Sequence, residues 1–361
     1  MIKNLFTQIF KSSLKNFRDY FITITIFGLI LSGGFYYVLG SGAREALIGL
    51  MFTRIQSIST AGAQSMGGFL KLYANSLVIL TQHTDISTME DSDKQKLLDD
   101  FTKSWKDTPA DEAIFVDRNG NPKAVSPAIP TGNANLSDRE YFKWAVTAKK
   151  GDFFIGEPII ARFGKYEGQY IIPIASPVTS DGQFGGVLAS AISIPKLAES
   201  YLLPLKFSDS MRIYLINSKG TLLYAPTAKL IGVNYIDYLK AHPFLGSEII
   251  EGWLKQRAEG TSPGKLDIVL PNEQKGGLLT RFLIAHTPVF YGNSHWLLAV
   301  AIPADEALGL IAPVYVNQLG FLLAAFLSIL LLTMGVLEYR RHRNNKIIQT
   351  EKTSNSDSKT E

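Results

Sequence analysis

Two long apolar segments near the ends of the chain constrain its fold more than any other feature. One runs from Tyr20 to Ala43 and the other from Ala307 to Leu337, and neither contains a charged residue. Each is longer than the ~20 apolar residues that cross the hydrocarbon core of a bilayer. No comparable segment lies between them. The sequence therefore predicts two membrane helices that hold one large loop.

Basic residues outside the two segments predict the orientation of the chain. They are Lys3, Lys11, Lys15, Arg18, Arg340, Arg341, Arg343 and Lys346. Because cytoplasmic flanks are enriched in lysine and arginine, both ends are expected in the cytoplasm and the loop outside it. A charged leader followed by a long apolar stretch fits an uncleaved anchor better than a signal peptide. The formal net charge of +4 belongs to these ends, so nothing predicts nucleic-acid binding.

The loop lacks cysteine, which excludes disulfide bonds and thiolate metal sites. It is longer than the usual domain of ~150 residues, so two modules are expected. The five histidines show no pair four residues apart and no other metal spacing. The segment Gly260–Gly264 matches the G-x-S-x-G pattern, but Pro263 lacks the N–H that an oxyanion hole requires at that position. We therefore predict no enzyme activity, no cofactor and no metal.

A stripe of mostly apolar residues follows the first membrane segment at helical spacing. Its members are Leu47, Met51, Ile55, Ile58, Gly62, Met66, Phe69, Tyr73, Leu77 and Leu80. The stripe predicts a stalk helix of about 40 residues, roughly 60 Å long, which is more than one small domain needs to cover its core. Either two such helices pair in a homodimer, or the stripe packs on its own domain.

Two strand-turn-strand units of similar pattern occur about 100 residues apart. Residues 112–117 form an apolar strand that enters an Asn-Gly turn, and residues 212–217 enter a Ser-Lys-Gly turn in the same way. This similarity predicts a tandem repeat of one α/β module.

Several short motifs in this order resemble the double Cache domain family. They are Ser137–Ala145, Ile155–Pro158, Ile172–Val178, Asp181–Leu188, Ile192–Leu197, Leu215–Tyr224, Leu230–Asp237 and the closing segment Trp296–Leu308. The resemblance covers residues 40–310 and implies an α+β fold, with a long N-terminal helix and two PAS-like modules, each an antiparallel sheet flanked by helices. Members of the family are extracytoplasmic sensors of small molecules in chemoreceptors, histidine kinases and diguanylate cyclases.

The resemblance and the apolar segments together predict the organisation of the chain. The expected parts are a cytoplasmic N-terminus (1–20), a transmembrane helix (21–43), the stalk helix (44–83), a membrane-distal module (84–200), a membrane-proximal module (201–308), a second transmembrane helix (309–337) and a cytoplasmic tail (338–361).

In the family, the distal module usually holds the ligand, between its sheet and the segment that here reads Asp138-Arg139-Glu140-Tyr141-Phe142. The residues that the resemblance implies for the site are Arg139, Tyr141, Phe142, Trp144, Arg162 and Tyr170. A guanidinium pairs bidentately with a carboxylate or phosphate, so Arg139 would anchor an anionic group. The alternatives are that Arg139 caps backbone carbonyls or pairs locally and that the aromatic residues are core. For Arg162, Tyr166 and Tyr170, which lie in one polar stretch, a surface position is favoured.

The amino-acid-binding subgroup of the family differs from this chain at the acidic positions. Where that subgroup has acidic residues for the ligand's ammonium group, this chain has Ala191 and the segment Ile159–Ala161. A buried ammonium without a carboxylate is costly, so a standard α-amino acid is not expected, and a carboxylate or another small polar metabolite is preferred.

Only 24 residues, polar and rich in Ser, Thr, Asn and Lys, follow Leu337. We expect a two-pass inner-membrane sensor, a homodimer, that signals to a separate cytoplasmic or membrane protein. The alternatives are a binding or adhesion module without signalling, or the sensor half of a truncated diguanylate cyclase or histidine kinase.

Overall fold

The computed structural model describes residues 2–130, 134–162, 164–258, 260–272, 277–292, 294–309 and 312–357. In the two terminal helices, most side chains before Arg44 and many after Glu306 lie outside this description. Residues 50–305 form one compact unit, which contains both β-sheets of the protein's described part. The α+β class, the long N-terminal helix and the two antiparallel sheets are confirmed.

The first sheet is built from residues within the predicted distal module. The elements around it, in chain order, are α1 (Ile2–His83), α2 (Asp91–Ser104), β1 (Ala113–Asp117), β2 (Pro122–Ser126), α3 (Glu140–Thr147), β3 (Phe154–Ile155), β4 (Ile159–Ile160), β5 (Tyr170–Ser180), β6 (Gln183–Ser193) and α4 (Ile194–Tyr201). The strand order is β2-β1-β6-β5-β3, and β4 also pairs with β5; every pairing is antiparallel.

The second sheet repeats this arrangement in the residues that follow. Its elements are β7 (Arg212–Ile216), β8 (Leu222–Tyr224), α5 (Tyr235–Ala241), α6 (Ser247–Ala258), β9 (Gly264–Asn272), β10 (Leu278–Tyr291) and β11 (Ser294–Pro303), followed by α7 (Ala304–Gly309) and α8 (Ala312–Asp357). The order β8-β7-β11-β10-β9 matches that of the first sheet strand by strand.

The turns after β1 and β7 have the same hydrogen bonds, which supports the predicted repeat. Asp117 Oδ1 accepts from the N–H groups of residues 119 and 121, and Asn217 Oδ1 accepts from those of residues 219 and 221. In both turns the carbonyl of the closing glycine, Gly120 or Gly220, accepts a backbone N–H at 2.8 Å. Both glycines have φ near +85°, a conformation that suits a residue without a Cβ.

Helix α1 packs its apolar stripe against both sheets of its own chain. Met51, Ile55, Met66, Phe69, Tyr73 and Leu77 of the stripe are buried in the single chain. Ser59 Oγ donates to the carbonyl of Leu298 in β11 at 3.0 Å, and Thr81 Oγ1 lies 3.0 Å from Ser176 Oγ in β5. The alternative in which the stripe covers its own domain therefore describes α1, and the stripe gives no support to a dimer.

One helix in the described part of the chain is long and apolar enough to cross a membrane. It is Gly320–Ile347 within α8, which overlaps the predicted second transmembrane segment, 309–337. The predicted first segment, 21–43, lies in α1, but most of its side chains are outside the described residues. The two-pass arrangement is therefore still a prediction.

Candidate functional site

A small pocket lies between the first sheet and the segments that cover its face. Its volume is ≈ 50 Å³, which leaves room for little more than water. Its lining comprises Glu112, Ile114, Leu136, Arg139, Tyr141, Ile159, Ala161, Arg162, Ile171, Pro173, Ala189, Ser190 and Ala191. We call it the first pocket. Alternation along the strands explains the lining, because residues two apart in β1, β5 and β6 face the same side of the sheet.

Glu112, one residue before β1, is a buried carboxyl group in this pocket. Its side chain is 6% exposed, and its Oε2 has no hydrogen-bond partner among the groups described. Burial, reinforced by the charge of Asp111, raises its pKa from 4.5 to about 7. Gly164, at φ +99°, lies against it, and a Cβ on Gly164 would come within 2.4 Å of Glu112 Oε1. This backbone approach therefore requires glycine.

The neighbouring Asp111 fixes the loop between β4 and β5 over the pocket. Lys165 Nζ, on that loop, donates to Asp111 Oδ2 at 2.5 Å, and Lys196 and the hydroxyl of Tyr166 also donate to this carboxylate. Burial would raise the pKa of Asp111, but these three hydrogen bonds outweigh burial and hold the pKa below its usual value. Tyr166, for which the sequence favoured a surface position, is instead buried.

Arg139 and Arg162 are the cationic groups of the first pocket. Arg139 Nη2 donates to the carbonyl of Ile160 at 3.3 Å, as in the alternative that has it cap a backbone carbonyl. Arg162 forms a bidentate pair with Asp138, with Nη1 2.8 Å from Oδ1. Burial lowers the pKa of Arg139 from its ordinary value, and the positive charge of Arg162 lowers it further.

Three of the six predicted site residues line the first pocket, and three do not. Arg139, Tyr141 and Arg162 line it. Phe142 is core, packed edge-on against Phe184 at 5.7 Å between ring centroids, and Trp144 stacks on Phe154 at 5.4 Å. Tyr170 lies against Gly232, next to the second sheet. The expected contacts of Phe142, Trp144 and Tyr170 with a ligand are therefore not supported by their positions.

A hydrogen-bonded chain connects the pocket to α1. The hydroxyl of Tyr73 donates to Ser190 Oγ at 2.8 Å, and Ser190 Oγ donates to the backbone carbonyl of Glu112. Ser190 itself lines the pocket. The long helix thus contacts the strand ends that carry the pocket's carboxyl group.

The sequence did not identify the acidic residues of the site. From the resemblance, an acidic residue for a ligand's ammonium group was expected at positions 159–161 or 191, whereas the structure places Asp111 and Glu112 just before β1. The signal was present in two consecutive acids at the start of an otherwise apolar strand. The described residues contain no group of three or more histidine or acidic side chains arranged to hold a metal ion.

Comparison with known families agrees with this architecture. A family model described as a Cache domain matches residues 47–311, which is most of the chain. No curated protein sequence matches it.

Solved structures with the same fold are bacterial ligand-binding receptors. An extracellular ligand binding receptor from Desulfohalobium retbaense matches with a TM-score of 0.51 and 14% identity over 69% of this chain; the match spans only 40% of that receptor. The ligand-binding domain of the Pseudomonas fluorescens chemoreceptor CtaA, in complex with L-isoleucine, gives 0.51 and 18% identity over 75% of this chain and 98% of its own. That of the Pseudomonas aeruginosa PAO1 amino acid chemoreceptor PctB, in complex with L-Arg, gives 0.50 and 16% identity over 70% and 94%.

Proposed function

The chain belongs to the Cache domain family, and we propose that it is a membrane-anchored sensor that binds an extracytoplasmic small molecule in the first pocket. Cache domains are extracytoplasmic ligand-binding modules, and structures with this fold include chemoreceptor sensor domains. The observation that carries the proposal is that one pocket is lined both by the guanidinium of Arg139 and by the buried carboxyl of Glu112, whose Oε2 has no partner among the described groups. A buried polar atom without a partner is costly, and a ligand that satisfies it gains that energy on binding.

The ligand that fits these two groups has both an anionic and a cationic end. The guanidinium of Arg139 suits a carboxylate, and its described acceptor, a backbone carbonyl at 3.3 Å, is a weak competitor for a charged oxygen. The carboxyl of Glu112 suits an ammonium group. An anionic molecule without an amine, as the sequence favoured, would leave Glu112 unpaired.

The expectation against an α-amino acid rested on a missing carboxylate, and it is not supported. Glu112, one residue before β1, supplies a carboxyl group to the first pocket, whereas the expectation concerned positions 159–161 and 191. The ligand-binding domains of CtaA and PctB were solved in complex with L-isoleucine and L-Arg, respectively. We therefore extend the proposed ligand class to amino acids and related zwitterions. The present volume of the first pocket requires the loop that carries Gly164 and Lys165 to move outward on binding.

Signal transmission is proposed to run through α1. A ligand that pairs with Glu112 changes the strand end whose carbonyl is bonded to Ser190, and Ser190 is bonded to Tyr73 of α1. This helix is continuous from Ile2 to His83, so a shift at Tyr73 acts on the same helix that carries the predicted first membrane segment. The receiving protein would lie in the cytoplasm or membrane. A module that binds without signalling, or the sensor half of a split cyclase or kinase, would share the pocket but not this coupling.

The topology proposal places both ends in the cytoplasm and both sheets in the periplasm. Arg340, Arg341, Arg343 and Lys346, at the C-terminal end of Gly320–Ile347, support it. Alkaline phosphatase fused at Thr227 should be active, and the same reporter at Thr350 should be inactive. The opposite pattern would disprove the extracytoplasmic sensor.

A homodimer, if formed, would use a different face of α1 from the predicted stripe. Leu72 and Ile79 are 61% and 59% exposed and lie seven residues apart, on one side of the helix. Since the chain has no cysteine, Leu72→Cys introduces a single thiol. Oxidation of membranes should yield more disulfide-linked dimer from Leu72→Cys than from Lys71→Cys, which is also exposed but lies about 100° round the helix. Equal crosslinking of both would remove the support for this face.

The experiment that tests ligand binding is a thermal-shift screen of the full chain in detergent. L-amino acids are compared with the corresponding carboxylic acids without an amine and with amines without a carboxylate. A ligand at about 100 times its Kd stabilises the folded state by about 2.7 kcal/mol. Only zwitterions should raise the melting temperature strongly.

Variants of Arg139 test whether a ligand identified by the screen binds in the first pocket. Arg139→Ala should weaken binding by roughly 10- to 150-fold, because a charge-assisted contact contributes about 1.5–3 kcal/mol, and Arg139→Lys should recover little of it. Arg118→Ala, an exposed arginine in the turn after β1, is the matched control. Equal loss in both variants, or no loss in Arg139→Ala, would refute the assignment.

A further inference from the structure

A second and much larger cavity lies between the second sheet and helices α5 and α6. Its volume is ≈ 490 Å³, within the ~300–1,000 Å³ typical of small-molecule sites. We call it the second pocket. Ala299 and Ala301 of β11 form part of its floor, and their small side chains leave the space that larger residues would fill.

The second pocket occupies the same place in its sheet as the first pocket does in the other. Ala191 and Ala301 are equivalent, because Ser190 pairs with Ala113 of β1 and Val300 pairs with Ile213 of β7. By the same register, the residue that precedes Ala113 corresponds to the residue that precedes Ile213. These two residues are Glu112 and Arg212. Each lines its own pocket, so the repeat carries opposite charges at one structural position.

Arg212 extends across the floor of the second pocket. Its guanidinium carbon lies 5.0 Å from the ring centroid of Phe282 in β10, and its Nη2 donates to Asn272 Oδ1 in β9 at 2.7 Å. Both partners are neutral. Among the residues that the structure describes, no carboxylate lies within 4.0 Å of this guanidinium. A guanidinium has five N–H donors, and the bond to Asn272 uses one of them, so Arg212 can also donate to an anion in the cavity.

The other groups around the second pocket favour an aromatic ligand body. The indole Nε1–H of Trp253 in α6 is buried without an acceptor in the described structure. Tyr238 of α5 stacks on Tyr235 at 5.9 Å between centroids, and Phe244 lines the same cavity. Aromatic side chains provide broad apolar contact area that suits another ring.

We propose that the second pocket is a binding site for a small aromatic carboxylate, whose carboxylate pairs with Arg212 and whose ring packs among Tyr235, Tyr238 and Trp253. The guanidinium of Arg212, with neutral partners in Phe282 and Asn272, offers the planar fork that pairs with a carboxylate. The site is separate from the first pocket, and its charge preference is the opposite of that of Glu112.

The test is calorimetric titration of the full chain in detergent with phenylacetate. Phenylacetamide and phenethylamine have a similar shape but are neutral and cationic, so they separate charge from ring packing. We expect phenylacetate to bind at least tenfold more tightly than either. Arg212→Gln should weaken phenylacetate binding by on the order of 10- to 100-fold. Arg281→Gln is the matched control, because Arg281 is a paired arginine of the same sheet outside the cavity.

A second variant tests the location without changing charge. Ala301→Leu fills the floor of the second pocket and should abolish phenylacetate binding while leaving thermal unfolding measurable. The proposal is overturned if phenylacetate fails to bind at about 10 mM, a concentration that would detect even a Kd near 1 mM. It is also overturned if Arg139→Ala removes binding while Arg212→Gln and Ala301→Leu do not, because phenylacetate would then occupy the first pocket.

Discussion

Replacing Glu112 by glutamine should stabilise the protein at alkaline pH and have a much smaller effect at acidic pH. The folded protein raises the pKa of this carboxyl from 4.5 to about 7, chiefly by burial. The unfolded chain therefore loses the proton at a lower pH than the folded chain does. Stability falls as the pH rises from about 4.5 to about 7, and the penalty is constant above that range.

The size of this penalty follows from the two pKa values. A tenfold change in proton affinity is worth about 1.4 kcal/mol, so ionised Glu112 costs about 3 kcal/mol at pH 8 and about 1 kcal/mol at pH 5. Glutamine has the same shape and no charge. Its advantage over glutamate should therefore grow by about 2 kcal/mol between pH 5 and pH 8, to within a factor of two.

The assay is urea unfolding of the full chain in detergent, followed by tryptophan fluorescence at both pH values. Glu167→Gln is the control, since Glu167 is an exposed carboxyl on the same loop that covers the pocket. The free energies of unfolding of Glu167→Gln and of the parent protein should differ little, and by the same amount at both pH values. If the difference between Glu112→Gln and the parent protein is the same at pH 5 and pH 8, Glu112 is not the buried titrating group described above.

Three further variants test the surroundings of the first pocket. Asp111→Asn should destabilise the protein by about 1–3 kcal/mol at pH 7 in urea unfolding, because two lysines lose their carboxylate partner. This loss of stability should shrink as the pH falls through the pKa of Asp111, which the folded protein lowers below 3.8. A loss that does not vary with pH would contradict the ion pairs. Tyr73→Phe should lower the free energy of unfolding by about 1 kcal/mol and reduce signalling more than ligand affinity, because it removes the hydrogen bond to Ser190. Unchanged signalling in a receptor-coupled reporter would rule out transmission through Tyr73. Gly164→Ala should lower the melting temperature of the ligand-free protein without weakening ligand binding, since its Cβ meets Glu112 only while the loop is closed; an unchanged melting temperature would show that the loop does not lie against Glu112.

Periodicity and turn chemistry were enough to predict the framework from sequence. The Asn-Gly and Ser-Lys-Gly turns after β1 and β7 depend on local hydrogen bonds, and such bonds can be inferred from neighbouring residues. The stalk helix could be predicted for a similar reason, because the spacing of apolar residues alone identifies the buried face of a helix. Which surface that face contacts is decided by distant residues. Sequence spacing therefore left the stripe open to a dimer, whereas in the structure α1 packs on both sheets of its own chain, with hydrogen bonds to β11, β5 and β6.

The site was harder to predict because its residues meet only through sheet register. Arg139 was identified from a motif, but Glu112 reaches the same pocket from a strand that is distant in sequence. Its position in the pocket depends on side-chain alternation along β1 and on the close approach of Gly164. Tyr166 was mispredicted for the same reason. Its polar sequence neighbours suggested solvent exposure, whereas in the structure its hydroxyl donates to Asp111.

The opposite charges of Glu112 and Arg212 explain how a repeated fold can hold two pockets of different chemistry. Glu112 directly precedes β1 and Arg212 is the first residue of β7, so each lines its pocket from the start of a strand, where its charge can change without disturbing the backbone hydrogen bonds of the sheet. In the first pocket, the covering loop is fixed by Asp111 and the charge is enclosed. In the second pocket, alanines at the floor leave the charge of Arg212 open to a cavity of ≈ 490 Å³. A change in charge alone would reverse ligand preference, whereas a change in loop or floor residues sets ligand size. The two properties are separable, so exchanging the charge with Arg212→Glu should move the second pocket's preference from phenylacetate toward phenethylamine without altering the size of ligand it accepts.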